Sequence, residues 1–106
     1  MTHTEATVRA QVMKALASPI RLMIVDELSH GERCVCELQP LFAIDQSTLS
    51  RHLSALKNVG ILTERREGTK IIHRLATPCI LKVIDCAREV SQADAHRRAQ
   101  NLVSES

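Results

Sequence analysis

A chain of 106 residues has room for one modest core and excludes a second domain of useful size. Hydrophobic residues make up 44% of it, yet Phe42 is the only aromatic, so burial must come from aliphatic side chains packed between helices. A formal net charge of +2 excludes strong global attraction to nucleic acid, and any such affinity must come from a local basic surface such as Arg51, His52, Lys57, Arg65, Arg66 and Lys70. The start, Met1-Thr2-His3-Thr4-Glu5, has no basic segment followed by an apolar stretch, and nowhere do about 18 apolar residues run together. The expectation is a soluble, cytoplasmic protein with no membrane partner. In that compartment the four cysteines point to metal binding or redox chemistry rather than to structural disulfides.

In chain order, a first helix is expected from Glu5 to Ala17, with Val8, Val12, Ala15 and Leu16 as its apolar stripe. Ser18-Pro19 restarts the chain, because Ser18 can accept from an orphan amide and Pro19 suits a first helical position. The second helix closes at Gly31, with Ile20, Met23, Ile24 and Leu28 facing the core. Cys34 to Phe42 reads as a short helix. Asp45 or Ser47 then caps a helix in which Leu49, Leu53 and Leu56 form the buried stripe, and Gly60 ends it. Two helices joined by a short turn, the second with a small, polar and basic outer face, form a helix-turn-helix pattern. Ile61 to Arg65 and Lys70 to Leu75 are strand-like and flank Arg66-Glu67-Gly68-Thr69, which gives a hairpin or wing. Thr77-Pro78 opens a last helix with Ile80, Val83, Ile84, Ala87 and Val90 apolar, and the tail from about Gln100 is expected to fray. The fold class is mostly α with a small β-hairpin. It is a single winged helix-turn-helix domain over residues 1–106 with frayed ends, dimerising through its first and last helices.

Two groups of residues carry chemistry. Gln46, Ser47, Thr48, Ser50, Arg51 and His52 open the second helix of the pair, where polar groups reach phosphates or base edges and an arginine pairs with phosphate or reads guanine. Arg66, Thr69 and Lys70 would let the wing touch the DNA backbone or minor groove. Paired recognition helices enter successive major grooves about 34 Å apart, which demands an inverted-repeat operator. The second group is Cys34 and Cys36, whose thiolates suit soft ions beside Arg33 at a helix start. Residues two apart on a regular helix diverge by about 200°, so chelation by both would deform the turn. Their other reading is as small buried core residues. Cys86 reads as interface packing, whereas Cys79 could donate a third thiolate or pair across subunits, and His30 is a further third-ligand candidate by proximity. No Cys-x-x-Cys and no cysteine with an acid or base partner is visible, so an enzyme is not expected.

Ala17-Ser18-Pro19-Ile20-Arg21, Glu32-Arg33-Cys34-Val35-Cys36-Glu37-Leu38, Ser47-Thr48-Leu49-Ser50-Arg51-His52-Leu53, and Gly60-Ile61-Leu62 leading into Arg66-Glu67-Gly68 together resemble the ArsR/SmtB family of winged-helix metalloregulators over almost the whole chain. The resemblance implies a homodimeric repressor that leaves its operator when a metal or metalloid binds. The cysteine pair looks most like the branch sensing As(III) and Sb(III), with Cys34 and Cys36 as ligands; the alternatives are a thiol redox or persulfide sensor, or a Cd, Pb or Zn sensor of the same fold. Gln39 stands where the arsenic pattern often has a third cysteine. Thr77, Cys79, Val90 and Ala93 occupy the positions at which other members bind zinc on the last helix, so that site is not expected here.

Overall fold

The computed structural model describes residues 1–105, with side chains described for residues 1–101. The helix α1 covers His3–Leu16 and is opened by a reciprocal cap, in which Thr2 accepts from the Glu5 amide while the Glu5 carboxylate accepts from the Thr2 amide. After Ala17 the chain restarts as α2, Pro19–Leu28, with Ser18 Oγ accepting from the Arg21 amide and Pro19 in the first turn, as the sequence implied.

The segment after Gly31 departs from the helix expected over Cys34 to Phe42. Arg33–Cys34 form a two-residue strand, β1, then comes a single helical turn, α3, over Val35–Leu38, and a 3₁₀ turn over Gln39–Leu41. A strand of two residues has no periodicity to read, and only its pairing reveals it. The helix α4 spans Gln46–Asn58 and begins at Asp45, which accepts from the Thr48 amide at 2.8 Å. Gly60, at φ +84°, supplies the left-handed residue that turns the chain out of α4. Strands β2, Leu62–Glu67, and β3, Lys70–Leu75, form the wing, closed by Gly68 at φ +65°. The sheet is antiparallel in the order β1-β3-β2, with Arg33 opposite His73 and Cys34 opposite Ile72. The last helix, α5, runs over Ile80–Glu105, past Gln100 where fraying was expected; the side chains after residue 101 and all of Ser106 lie outside the described residues.

The core is aliphatic apart from Phe42, built from Ala15 and Leu16 of α1, Ile24, Val25 and Leu28 of α2, Leu38 of α3, Leu49, Leu53 and Leu56 of α4, and Ile61, Leu62 and Ile80. All three leucines of the α4 stripe are buried, because i, i+4 and i+7 lie on one helix face. Two expectations fail in the first helices: Val8 and Met23 are more than half exposed, and Val25 is buried in place of Met23. The N-terminal half of α1 extends beyond the core, and α2 is turned so that Ile24 and Val25 point inward. Val8 and Met13 on α1, Met23 on α2 and Val90 on α5 are left as exposed apolar groups. Among the described residues, no helix is long and apolar enough to cross a membrane.

Candidate nucleic-acid interface and thiol site

The first turn of α4 is set by Asp45. Its carboxylate holds the Thr48 amide and also accepts from Ser47 Oγ at 3.2 Å, and these hydrogen bonds, Thr48 first, keep its pKa below the ordinary carboxylate value. With the turn fixed, Gln46, Ser47, Ser50 and Arg51 project from the exposed side while Leu49 and Leu53 project inward. Thr48 is half-buried.

His52 is placed differently from its neighbours. It is half-buried between α4 and α2, and its Nδ1 accepts from Arg21 Nε at 2.9 Å, while Arg21 Nη1 donates to the Ala15 carbonyl. Burial lowers the His52 pKa, and the Arg21 and Arg51 charges lower it further. A neutral imidazole is the form able to accept that bond. Arg21 thus joins the end of α1, α2 and α4 around the base of the reading helix; it carried no pattern of its own, although it closes the Ala17-to-Arg21 stretch.

The wing has a similar division. Arg65 is tied to Glu32 at 2.7 Å and to Glu67 at 3.2 Å. Lys57, at the end of α4, donates to Glu64 Oε1 at 2.6 Å, and Glu64 Oε2 lies 3.2 Å from Nε2 of the buried His73. This chain of three fastens the reading helix to both wing strands, and spacing alone did not reveal it. Burial holds the His73 pKa below its ordinary value despite the neighbouring Glu64 carboxylate. Arg51, Arg66 and Lys70 have no ion-pair partner among the described residues, which leaves their charges available to phosphate.

Cys34 is not a helical residue. It ends β1 in extended backbone and precedes α3, and its amide donates to Glu37 Oε1 at 3.0 Å. The divergence expected of two helical residues therefore does not apply. The Cα atoms of Cys34 and Cys36 are 5.2 Å apart, within the span a disulfide needs, and the two sulfurs are bonded. The expectation of free thiols is corrected for this pair, whereas Cys79 and Cys86 are free and exposed. Cys34 is buried and Cys36 is exposed.

The described residues contain no group of three or more histidine, cysteine, aspartate or glutamate side chains able to hold a metal ion. Cys79 and His30 are thus not gathered with the pair in one protomer. The strand β3 passes Cys34 at Ile72 and runs on to Leu75 before α5 begins, carrying Cys79 away. Gln39, instead of offering a donor to the sulfurs, spends its amide on the Ile44 carbonyl at 2.6 Å.

What the structure does bring together is the disulfide and the polar face. A cavity of about 660 Å³ is lined by Cys34 and Cys36, by Gln46 and Ser50 of α4, by Thr69 and Lys70 of the wing, and by Val35, Gln39, Pro40 and Ile71.

The regulatory-protein model for the bacterial arsR family matches residues 18–64, from the α2 cap into β2. A biofilm growth-associated repressor of Agrobacterium fabrum is 41% identical over 80 residues, covering 76% of this chain and 68% of that protein. The chain belongs to the arsR family of bacterial regulatory proteins. The family assignment agrees with the non-enzymatic reading and with the winged helix-turn-helix fold. The HTH-type transcriptional repressor SmtB of Mycobacterium tuberculosis is 39% identical over 66 residues, 62% of this chain, and the match spans about half of that relative, 49%. Among solved structures, a homodimeric winged helix-turn-helix DNA-binding domain of Mycobacterium bovis superposes with a TM-score of 0.75 at 31% identity, covering 92% of this chain and 93% of that one.

Proposed function

We propose that this arsR-family chain is a cytoplasmic, homodimeric repressor whose affinity for an inverted-repeat operator is set by the chemical state of Cys34 and Cys36. The carrying observation is that the two sulfurs close a bond at the junction between β1, which pairs with the wing, and α3, the first helix of the reading pair. A change at that junction acts on both DNA-contacting elements at once. Reduction and closure of a disulfide needs two sulfurs and no third donor, and Cys34 and Cys36 are two sulfurs already within bonding reach of each other.

On the DNA side, Gln46, Ser47, Ser50 and Arg51 face the major groove, Thr48 and His52 position the first turns of α4, and Arg66, Thr69 and Lys70 meet the backbone beside it. The exposed apolar groups of α1 and α5, Val8, Met13 and Val90, supply the dimer contact. The reduced dithiol form holds the operator, and the closed form releases it. A coupling of about 1 to 3 kcal/mol corresponds to an affinity loss of roughly 5- to 150-fold. Operator titrations of the reduced and the oxidised protein test this, and equal affinities would overturn it.

A second reading rests on the same convergence of sulfurs. The reduced pair forms a two-sulfur bite opening to a cavity, and As(III) or Sb(III) would be held there by Cys34 and Cys36, with a third donor from a small thiol or the partner subunit. Cd, Pb and Zn place the same demand for further ligands on the site. Arsenite titration of the reduced protein, followed by thiolate absorption and operator affinity, separates the readings. An arsenite response that survives in fully reduced protein favours the metalloid, and a response to oxidant alone favours the redox switch.

A further inference from the structure

The two sulfurs of the pair differ in access. Cys34 is 2% exposed, so a nucleophile arriving from solution reaches Cys36. The cavity beside it has a volume in the range that takes a small organic ligand. Gln46, Ser50, Thr69 and Lys70 line that cavity, and among the described residues none of the four has a side-chain hydrogen bond or ion pair. A bonded sulfur, a free ammonium and three free polar side chains therefore face one space.

We propose that this cavity receives a carboxylate-bearing low-molecular-weight thiol, held in a mixed disulfide on Cys36 with its carboxylate on Lys70. The inference rests on the thiol-switch reading above and names the partner of that site. In the forward step the Cys36 thiolate attacks one sulfur of an external disulfide, forming Cys36–S–S–R and expelling the other half as a thiolate. The Cys34 thiolate then attacks the Cys36 sulfur, closing Cys34–Cys36 and expelling the second half as a thiolate. Two cysteine thiols are oxidised and one external disulfide is reduced to two thiols, so electrons and atoms balance. During the lifetime of the mixed disulfide the bound group covers Gln46 and Ser50, which blocks the reading face directly.

The test uses the full chain with Cys34→Ser, Cys79→Ser and Cys86→Ser, in which ring closure and the other thiols are removed. It is treated with oxidised glutathione or with cystamine, whose halves carry no carboxylate, and adduct formation on Cys36 is followed by intact mass. The expected result is one adduct per chain, formed roughly three- to fivefold faster with glutathione disulfide, with that preference lost in Lys70→Gln. Equal rates for the two reagents, or a preference that Lys70→Gln leaves intact, would overturn the proposal. Acid-quenched wild-type protein, mapped for Cys36 adducts with the same two reagents, gives the same readout should the triple variant not fold. Operator affinity of wild type in its dithiol and disulfide forms is measured alongside, because equal affinities would remove the switch while leaving the adduct preference to stand or fall on its own.

Discussion

The chain carries two pairs of cysteines, and their settings differ in bonding and in the elements around them. Cys34 and Cys36 lie where three elements meet, one buried and one exposed, at the edge of a cavity shared with the reading helix and the wing. Cys79 lies in the turn just before α5 and Cys86 on α5 itself, and both are free and exposed. A change at the first pair must move a strand register or a helix start. A change at Cys86 has only a helix surface to alter, and one at Cys79 only the turn that leads from β3 into α5, away from α3 and α4. Position among elements, more than thiol count, makes the first pair a candidate switch.

The largest effect should come from removing the packing under the first corner. Leu38 of α3 is fully buried, and Leu38→Ala should cost about 2 to 5 kcal/mol of stability, read from urea unfolding. On α5, Val90 is 61% exposed, and Val90→Ala should fall within about 0.5 kcal/mol for the monomer. Comparable costs at the two sites would contradict the contrast. Next comes the response itself. Cys34→Ser should abolish the difference in operator affinity between reducing and oxidising conditions, roughly 5- to 150-fold in wild type. The double variant Cys79→Ser with Cys86→Ser should retain it, and a loss there would move the switch to α5. A smaller change is expected at Arg51, whose charge has no ion-pair partner among the described residues. Arg51→Gln should weaken operator binding by about tenfold and reduce the dependence of affinity on salt by about one phosphate contact.

Much of this contrast is legible in residue order, and the illegible parts share a cause. The α4 stripe of Leu49, Leu53 and Leu56, the Asp45 cap, the Gly60 exit and the wing all follow from local rules, and each appears where those rules place it. Cys34 falls outside the helix expected for it because β1 exists only through its pairing with His73 and Ile72, some forty residues further on. Met23, expected in the core, is exposed while Val25 is buried, and α2 packs against α4 and β3, contacts that its own spacing does not reveal. The Arg21–His52 bond and the Lys57–Glu64–His73 chain join residues whose separations carry no periodic signal. Whatever depends on contact between distant segments stays illegible, and the environment of the first cysteine pair is made almost entirely of such contacts.

Acid separates the two regions once more. His73 is buried beneath the wing and its pKa lies below 6.5, chiefly because burial disfavours the imidazolium. In the unfolded chain the same group protonates at its ordinary value. The unfolded state therefore binds more protons as the pH falls, so the stability contributed by a neutral His73 is present above about 6.5 and is lost as pH descends toward the folded pKa. His52 on α4 acts with the same sign, since burial and the Arg21 charge also lower its pKa. Both groups belong to the reading half of the molecule, and α5 offers no buried histidine among the described residues. Amide hydrogen exchange at about pH 7 and about pH 5.5, on either side of the ordinary histidine value and corrected for intrinsic rates, should show protection falling first in α4 and β3, with α5 changing less. In His73→Leu the loss in β3 should shrink, because the neutral side chain no longer has a proton to gain. A uniform loss over the whole chain, or one unaffected by His73→Leu, would mean that the reading half is not where acid acts.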